Sequence, residues 1–291
     1  MSVNRILIVG CGKIGLRVAD LLSTHHQVWG LRRSSPNNEA SYGHGTTHFI
    51  TADVTLPETL NNKLPQNIDY LLYCIAPTER SETAYRDVYL AGLQNIVSAL
   101  SGQSHLKRIY FVSSTSVYHQ DDHSSVDEYS QTLPLSFSGQ VLLEAEAFCQ
   151  HLSTPSTIIR FSGIYGANRS RLIDQVKMKK ALLSTKPRLT NRIHEDDCVG
   201  FIQHLIQQDI LGKKNEDIYL ASDNMPIDLN EVIKFIATEL KIELKNSLSD
   251  TAETRRAGNK KCCNKRMLAS AYQFHYPSYK EGYQAMIDSQ P

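Results

Sequence analysis

The residues best suited to chemistry come at the start of the chain, where positions 4–15 read NRILIVGCGKIG. A β-branched apolar run ends directly in glycines spaced G-x-G-x-x-G, the arrangement a dinucleotide pyrophosphate requires. Gly10 permits a tight turn out of a strand, and Gly12 lets backbone approach phosphate with no Cβ in the way. Gly15 lets the following helix pack closely on that strand. The helix opens at Lys13 and Ile14 and is amphipathic through Ile14, Val18, Leu21 and Leu22. Its unpaired N–H groups and positive dipole end suit an anion. The plainer alternative is a strand–turn–helix with no ligand.

The next strand decides which dinucleotide is expected. Positions 26–33 read HQVWGLRR, and no acid stands about 20 residues past the glycines, where an NAD site places Asp or Glu for the ribose 2′-hydroxyl. Arg32 and Arg33 stand there instead, and a guanidinium grips a 2′-phosphate through charge-assisted bonds. NADP is therefore expected over NAD, against the reading of two arginines in a solvated loop.

These motifs need a scaffold, and the chain can build one. Its 291 residues, 41% hydrophobic and 21% charged, fit a soluble protein of one large or two modest domains. A net charge of +1 gives no global pull toward nucleic acid or membrane. The segment 255–266, RRAGNKKCCNKR, is a local basic patch read as a solvated loop, though one able to face substrate phosphates. It lacks the interleaved aromatics of a nucleic-acid site, so no nucleic-acid partner is expected. Six cysteines without C-x-x-C spacing point to neither zinc nor a disulfide scaffold but to a reducing compartment. With no signal peptide and no apolar run approaching ~20 residues, no membrane association is expected and the location is read as cytoplasmic.

Apolar runs at 6–10, 27–31, 48–52, 70–75, 108–113, 157–161 and 217–221 alternate with amphipathic stretches, notably 85–100 and 142–152. Seven strands separated by helices predict an α/β fold, a doubly wound parallel sheet of Rossmann type. The rhythm loosens after Gly163, with a basic segment at 169–186 and a helix at 229–240 behind the N-cap Asp228. The expected division is a dinucleotide-binding domain at 1–165 and 190–222, with a smaller substrate lobe at 166–189 and 223–291.

With Ala52-Asp53-Val54 after strand three, FVSSTSVY at 111–118 after strand five, RFSGIYG at 160–166, RIHEDD at 192–197 and YLASD at 219–223, the chain resembles the extended short-chain dehydrogenase/reductases. More narrowly it is similar to the NAD(P)-dependent epimerase/dehydratase group. Its ending, NKK at 259–261 and YPSYKEGY at 276–283, is similar to the YeeZ-like atypical branch. The resemblance implies that Asp53 meets the adenine amine with Val54 behind the ring. It implies that Cys74, Ile75 and Ala76 run beside the ribose and phosphates, and that Ser113 and Ile164 flank the nicotinamide. Ser114 falls where the family's Ser or Thr hydrogen-bonds the reacting oxygen, although Ser113, Ser114 and Ser116 read equally well as turn residues. The family often dimerises through two helices, here including 85–100 and 142–152, so a homodimer is an expectation.

One departure matters most. The family's Tyr-x-x-x-Lys places a phenol beside an ammonium on one helix face, but the matching segment is PLSFSGQVL at 134–142. Ser138 stands at the tyrosine position and Leu142 at the lysine position. A serine hydroxyl cannot trade that proton near neutral pH. Tyr165 is the candidate substitute beside Ser114, with Tyr118 and the Arg192–His194 pair behind it, each having a packing alternative. Two functions stay open: an NADP-dependent oxidoreductase acting on a hydroxyl or carbonyl carbon of a small-molecule substrate, a sugar nucleotide among the options, and an NADPH-binding sensor that has lost catalysis.

Overall fold

The apolar runs pair into a sheet because the central ones have no polar face to turn toward water. In the computed structural model, which describes residues 3–34, 45–102, 105–167, 169–244, 248–249 and 258–289, seven strands form one parallel sheet. They are β1 (Arg5–Val9), β2 (Gln27–Arg32), β3 (Thr47–Thr51), β4 (Tyr70–Tyr73), β5 (Arg108–Ser114), β7 (Ser156–Phe161) and β12 (Ile218–Ala221). Their order is β12-β7-β5-β4-β1-β2-β3, so chain direction through the sheet reverses between β1 and β4. Every residue of β4 and β7 is buried, whereas β3, at the edge, alternates. Register is set by Ile6 opposite both Val28 and Tyr70.

Each of the seven expected runs overlaps one of these strands, with one difference that bears on the site. The run expected at 70–75 stops at Tyr73, which puts Cys74 and Ile75 in the following loop.

The helices depart more. Helix α1 (Lys13–Ser23) is as expected. The stretch read at 85–100 begins earlier, at α2 (Glu82–Tyr85), because the Ser81 hydroxyl caps it by accepting from the Ala84 N–H at 3.2 Å. It widens into a π-helical stretch, Arg86–Ala91, before α3 (Gly92–Ala99). The cause is visible: the buried Tyr73 hydroxyl donates to the Val88 carbonyl, taking that oxygen partly out of the α ladder. Helix α4 (Phe137–Gln150) starts five residues before the expected 142, capped by Ser136, whose hydroxyl accepts from the Gly139 N–H. Gly139 reads as a break but sits in the first turn. His194 ends strand β11 (Arg192–His194), and α6 (Glu195–Ile210) follows.

The chain divides into two compact units, one of residues 1–117, 136–160 and 199–219, the other of 118–135, 161–198 and 220–291. The second is built from short strands and helices: β6 (Ser125–Val126) beside β15 (Lys261–Cys262), β8 (Gly163–Tyr165) beside β11, β9 (Leu183–Ser184) beside β14 (Leu248–Ser249), and β10 (Leu189–Thr190) beside β13 (Ile227–Asp228). Its core lies among α5 (Arg171–Lys177), α7 (Leu229–Glu239) and α9 (Tyr279–Asp288), where Ile173, Val176, Val232, Ile236, Tyr283 and Met286 pack. Helix α7 takes Asp228 as N-cap, as expected, with the carboxylate accepting from the Asn230 N–H at 2.7 Å.

Within the basic run, Lys261 and Lys265 are exposed, but one lysine turns inward. Lys260 is 2% exposed and its ammonium donates to the Tyr118 carbonyl at 3.1 Å; Arg255 and Arg256 lie outside the described residues. Among those residues no helix is long and apolar enough to cross a membrane, and no cluster of His, Cys, Asp or Glu could hold a metal ion.

Candidate functional site

Parallel strands deliver their C-terminal ends to one edge of the sheet, and in the first unit five such ends carry the expected cofactor residues. Gly10 follows β1, Arg32 ends β2, Asp53 follows β3, Cys74 follows β4, and Ser113 and Ser114 end β5. Backbone bonds knit them: Gly10 N–H to Leu31 C=O (3.1 Å), Ala52 N–H to Arg32 C=O (3.1 Å) and Cys74 N–H to Val9 C=O (2.8 Å). An open α/β sheet keeps its ligand crevice at the point where the order reverses, here beside β1 and β4.

Each loop glycine has its own reason. Gly10 has φ of +100°, and a Cβ there would stand 2.4 Å from the Cys74 carbonyl oxygen. At Gly15 a Cβ would stand 2.2 Å from the Gly10 carbonyl oxygen, which lets α1 seat against the loop. Gly12 is different. It is exposed, in ordinary extended backbone, with nothing within 4 Å of the place a Cβ would take. It also N-caps α1 without any side-chain cap, so the first N–H groups of that helix have no protein acceptor there. Lys13 beside it is exposed and Ile14 is buried beneath the helix. Burial pushes the Cys11 thiol up to about 12, and Gly30 leaves room for its sulfur.

Arg32 is half-buried and Arg33 exposed at the end of β2. One Asp53 oxygen accepts from the Thr55 N–H (2.9 Å) and hydroxyl (2.8 Å), which fixes the turn after β3. Val54 is buried against Gly92. Cys74 and Ile75 are half-buried and Ala76 exposed. Ser113 is buried and donates to Glu146 Oε1 at 2.5 Å; Glu146 in turn takes Arg160 Nε (3.1 Å) and Nη2 (2.6 Å). The Ser114 hydroxyl oxygen accepts from the Ser116 N–H at 3.2 Å, closing a turn and leaving its own proton to donate.

Ser138, Leu142 and Glu146, four residues apart on α4, share one buried face. The Ser138 hydroxyl stands 3.1 Å from that of Ser136.

The other expected residues belong to the second unit. Ile164 is half-buried in β8 opposite Ile193. Tyr165 is 2% exposed, stacked on Tyr283 at 4.6 Å, and donates to the Ser278 carbonyl at 3.4 Å. Burial, and then Asp223, push its hydroxyl well above the usual phenol range. These are the surroundings of a packed ring, the packing alternative named for this residue. Tyr118 is likewise buried and donates to the Asp127 carbonyl at 2.8 Å. His194 packs edge-on to Tyr165, and its Nδ1 accepts from the Asp196 N–H at 3.2 Å.

Two features of this unit escaped the sequence reading. The first is a cavity of about 410 Å³ with Arg171, Lys180 and Arg188 in its wall, beside Gln175 and Ser184. The basic segment was noted, but not that it folds around a space. The second is Asp223, 1% exposed, whose carboxyl burial raises to about 7. Arg192, Asp197, Glu281 and the phenols of Tyr165, Tyr279 and Tyr283 are the charged and titratable groups coupled to it. A carboxyl held above its unfolded value stabilises the fold fully at low pH, and that stability is lost as pH rises toward 7. Relative to wild type, Asp223→Asn is therefore expected to gain on the order of 2 kcal/mol between pH 4 and pH 8. Urea unfolding at the two pH values checks this; equal differences at both would refute it.

Residues 6–221 match the NAD dependent epimerase/dehydratase family. No curated protein matches the chain. Among solved structures, a candidate NAD-dependent epimerase/dehydratase from Methylobacillus flagellatus is 37% identical, covers 99% of each chain and superposes with a TM-score of 0.81. Human epimerase family protein SDR39U1 (isoform 2), solved with NADPH, is 16% identical over 98% of this chain and 100% of its own, with a TM-score of 0.79. WbmG of Bordetella bronchiseptica, solved with NAD, is 14% identical over 99% and 94%, with a TM-score of 0.78. The latter two share the fold. With the family match spanning most of its length and 37% identity held end to end in the Methylobacillus protein, the chain belongs to the NAD dependent epimerase/dehydratase family.

Proposed function

We propose that this protein is an NADP-dependent oxidoreductase of the epimerase/dehydratase type, acting on a hydroxyl or carbonyl carbon of a small, nucleotide-linked substrate in the cytoplasm. The observation that carries the cofactor is the bare Gly12 at the uncapped start of α1, set beside the strand end that bears Arg32 and Arg33. The open space at Gly12 admits a pyrophosphate against backbone N–H groups, and the arginines offer fixed positive charge to a 2′-phosphate. Relatives solved with NAD and with NADPH support a nicotinamide cofactor without choosing between the two.

When bound, the nicotinamide supplies or accepts a hydride. Ser114 keeps a hydroxyl proton to donate to the reacting oxygen, while Glu146 holds Ser113 at the end of the same strand. The cationic cavity supports the nucleotide-linked substrate, since its volume suits a small molecule and Arg171, Lys180 and Arg188 suit phosphate.

Fluorescence titration with NADPH and NADH tests the cofactor assignment. Arg32→Ala/Arg33→Ala is expected to weaken NADPH binding by about tenfold to a hundredfold while leaving NADH little changed. Equal NADPH affinity in wild type and variant would refute the choice of NADP.

The absence of tyrosine and lysine on the α4 face favours a second reading, an NADPH-binding sensor without turnover. Turnover of any sugar nucleotide by wild type selects the enzyme. NADPH binding without turnover, with activity arising in the Ser138→Tyr/Leu142→Lys double variant, selects the sensor.

A further inference from the structure

Helix α4 has no phenol on the face where the resemblance places one, but the helical stretch packed beside it does. Tyr89 lies in the π-helical stretch Arg86–Ala91 and is half-buried. Its ring stands edge-on to Phe111 of β5 at 6.3 Å, and 5.4 Å from the ring of Tyr85. Tyr85 in turn meets Phe137, the first residue of α4, edge-on at 5.4 Å. One aromatic row thus joins β5, three residues ahead of Ser114, to the residue beside Ser138.

Tyr73 and Tyr110, in the neighbouring strands, donate their hydroxyls to the Val88 carbonyl and to Asp209, as buried phenols do. Among the described residues the hydroxyl of Tyr89 has no hydrogen-bond partner. The Cys74 thiol, in the loop that follows β4 at the switch point, and the phenols of Tyr73 and Tyr85 are the titratable groups coupled to it. Burial, ahead of any of these, pushes the Tyr89 phenol above its usual range, so it keeps its proton at neutral pH. The backbone accounts for its position. The helical ladder opens at Val88, one residue earlier, and Gly92 seats the next turn against the sheet, where a Cβ would stand 2.6 Å from Val54 and 2.8 Å from the Tyr73 hydroxyl. Widened turns of this kind recur at functional sites.

We propose that Tyr89 is the catalytic proton donor of this protein, taking the place of the phenol absent from α4. The inference rests on the oxidoreductase reading and gives it a direction, since a phenol that keeps its proton serves reduction of a carbonyl and not oxidation of an alcohol. The reductant is the reduced nicotinamide. As the hydride's electron pair reaches the carbonyl carbon, the C=O π pair moves to oxygen, the Tyr89 O–H bond breaks and a new O–H bond forms on the substrate. Water returns a proton to the phenolate. Ser114 hydrogen-bonds the same oxygen and keeps its own proton.

Fluorine NMR of the full chain labelled with 3-fluorotyrosine tests this, the Tyr89 resonance being identified by its loss in Tyr89→Phe, which keeps the ring and removes only the hydroxyl. NADPH is expected to move that resonance. With the sugar nucleotide that wild type turns over, Tyr89→Phe is expected to lose kcat about a hundredfold or more while KM and NADPH affinity stay within about threefold, and Tyr85→Phe is expected to keep all three. If NADPH binds and the Tyr89 resonance stays in place, or if Tyr89→Phe keeps the wild-type kcat, the proposal is overturned and the oxidoreductase stands. A kcat loss in Tyr85→Phe alone, or NADPH binding lost together with kcat in Tyr89→Phe, would also overturn it, the latter by making Tyr89 structural. Wild type that binds NADPH and turns over no sugar nucleotide would remove the proposal and the oxidoreductase together.

Discussion

Gly10→Ala is expected to lower the unfolding free energy by about 4 kcal/mol, a large share of the roughly 5–15 kcal/mol that holds a domain together. Two effects combine. The backbone at φ of +100° is open to glycine and strained for any side chain, and a Cβ would meet Cys74 O, Cys74 C and Ile75 Cα at 2.4–2.7 Å. All three are backbone atoms that follow β4, so relief requires a strand end to move. Gly12→Ala makes the contrasting test. Its backbone is extended and its surroundings are open, so stability should hold while NADPH binding weakens, because the new methyl stands where phosphate would approach. Urea unfolding and NADPH titration of both variants separate the roles. Unchanged nucleotide affinity in Gly12→Ala would remove the argument that this loop cradles phosphate.

What the sequence could reveal divides along the range of the interactions involved. The glycine loop is local in its spacing, since strand, turn and helix follow one another closely in the chain, although the backbone that crowds Gly10 comes from Cys74 and Ile75 after β4. The sheet is legible for a related reason: strands buried on both faces read as unbroken apolar runs, and β4 and β7 are buried throughout. Helix α4 begins at Phe137, ahead of the expected 142, because the Ser136 cap accepts from Gly139 and makes that glycine a first-turn residue. The π-helical stretch at Arg86–Ala91 depends on a tyrosine hydroxyl fifteen residues away in sequence, which no periodicity records. Tyr165 stood at a plausible position for chemistry, yet Tyr283, 118 residues later, stacks on its ring. Asp223 stands in the sequence as the last residue of YLASD, and the burial that raises its carboxyl is a property of packing.

Glu146→Ala is expected to cost about 3–5 kcal/mol, because it removes the carboxylate paired with the buried Arg160 guanidinium and the acceptor of the Ser113 hydroxyl. The loss lies in the uncompensated charge more than in the pair itself. The double variant Glu146→Leu/Arg160→Met, apolar at both positions, should therefore regain most of the stability in a urea titration. A double variant as unstable as Glu146→Ala would mean that packing, not charge, sets the cost. The location of this pair bears on how α4 is used. Its buried face carries Ser138, Leu142 and Glu146 on successive turns, and the resemblance places the proton-transferring pair at the first two positions. Those two turns have lost the groups that trade protons, while the third still ties the helix to Arg160 of β7 and Ser113 of β5. Helix α4 thus keeps the device that fixes its register on the sheet, through Glu146 to Arg160 and Ser113.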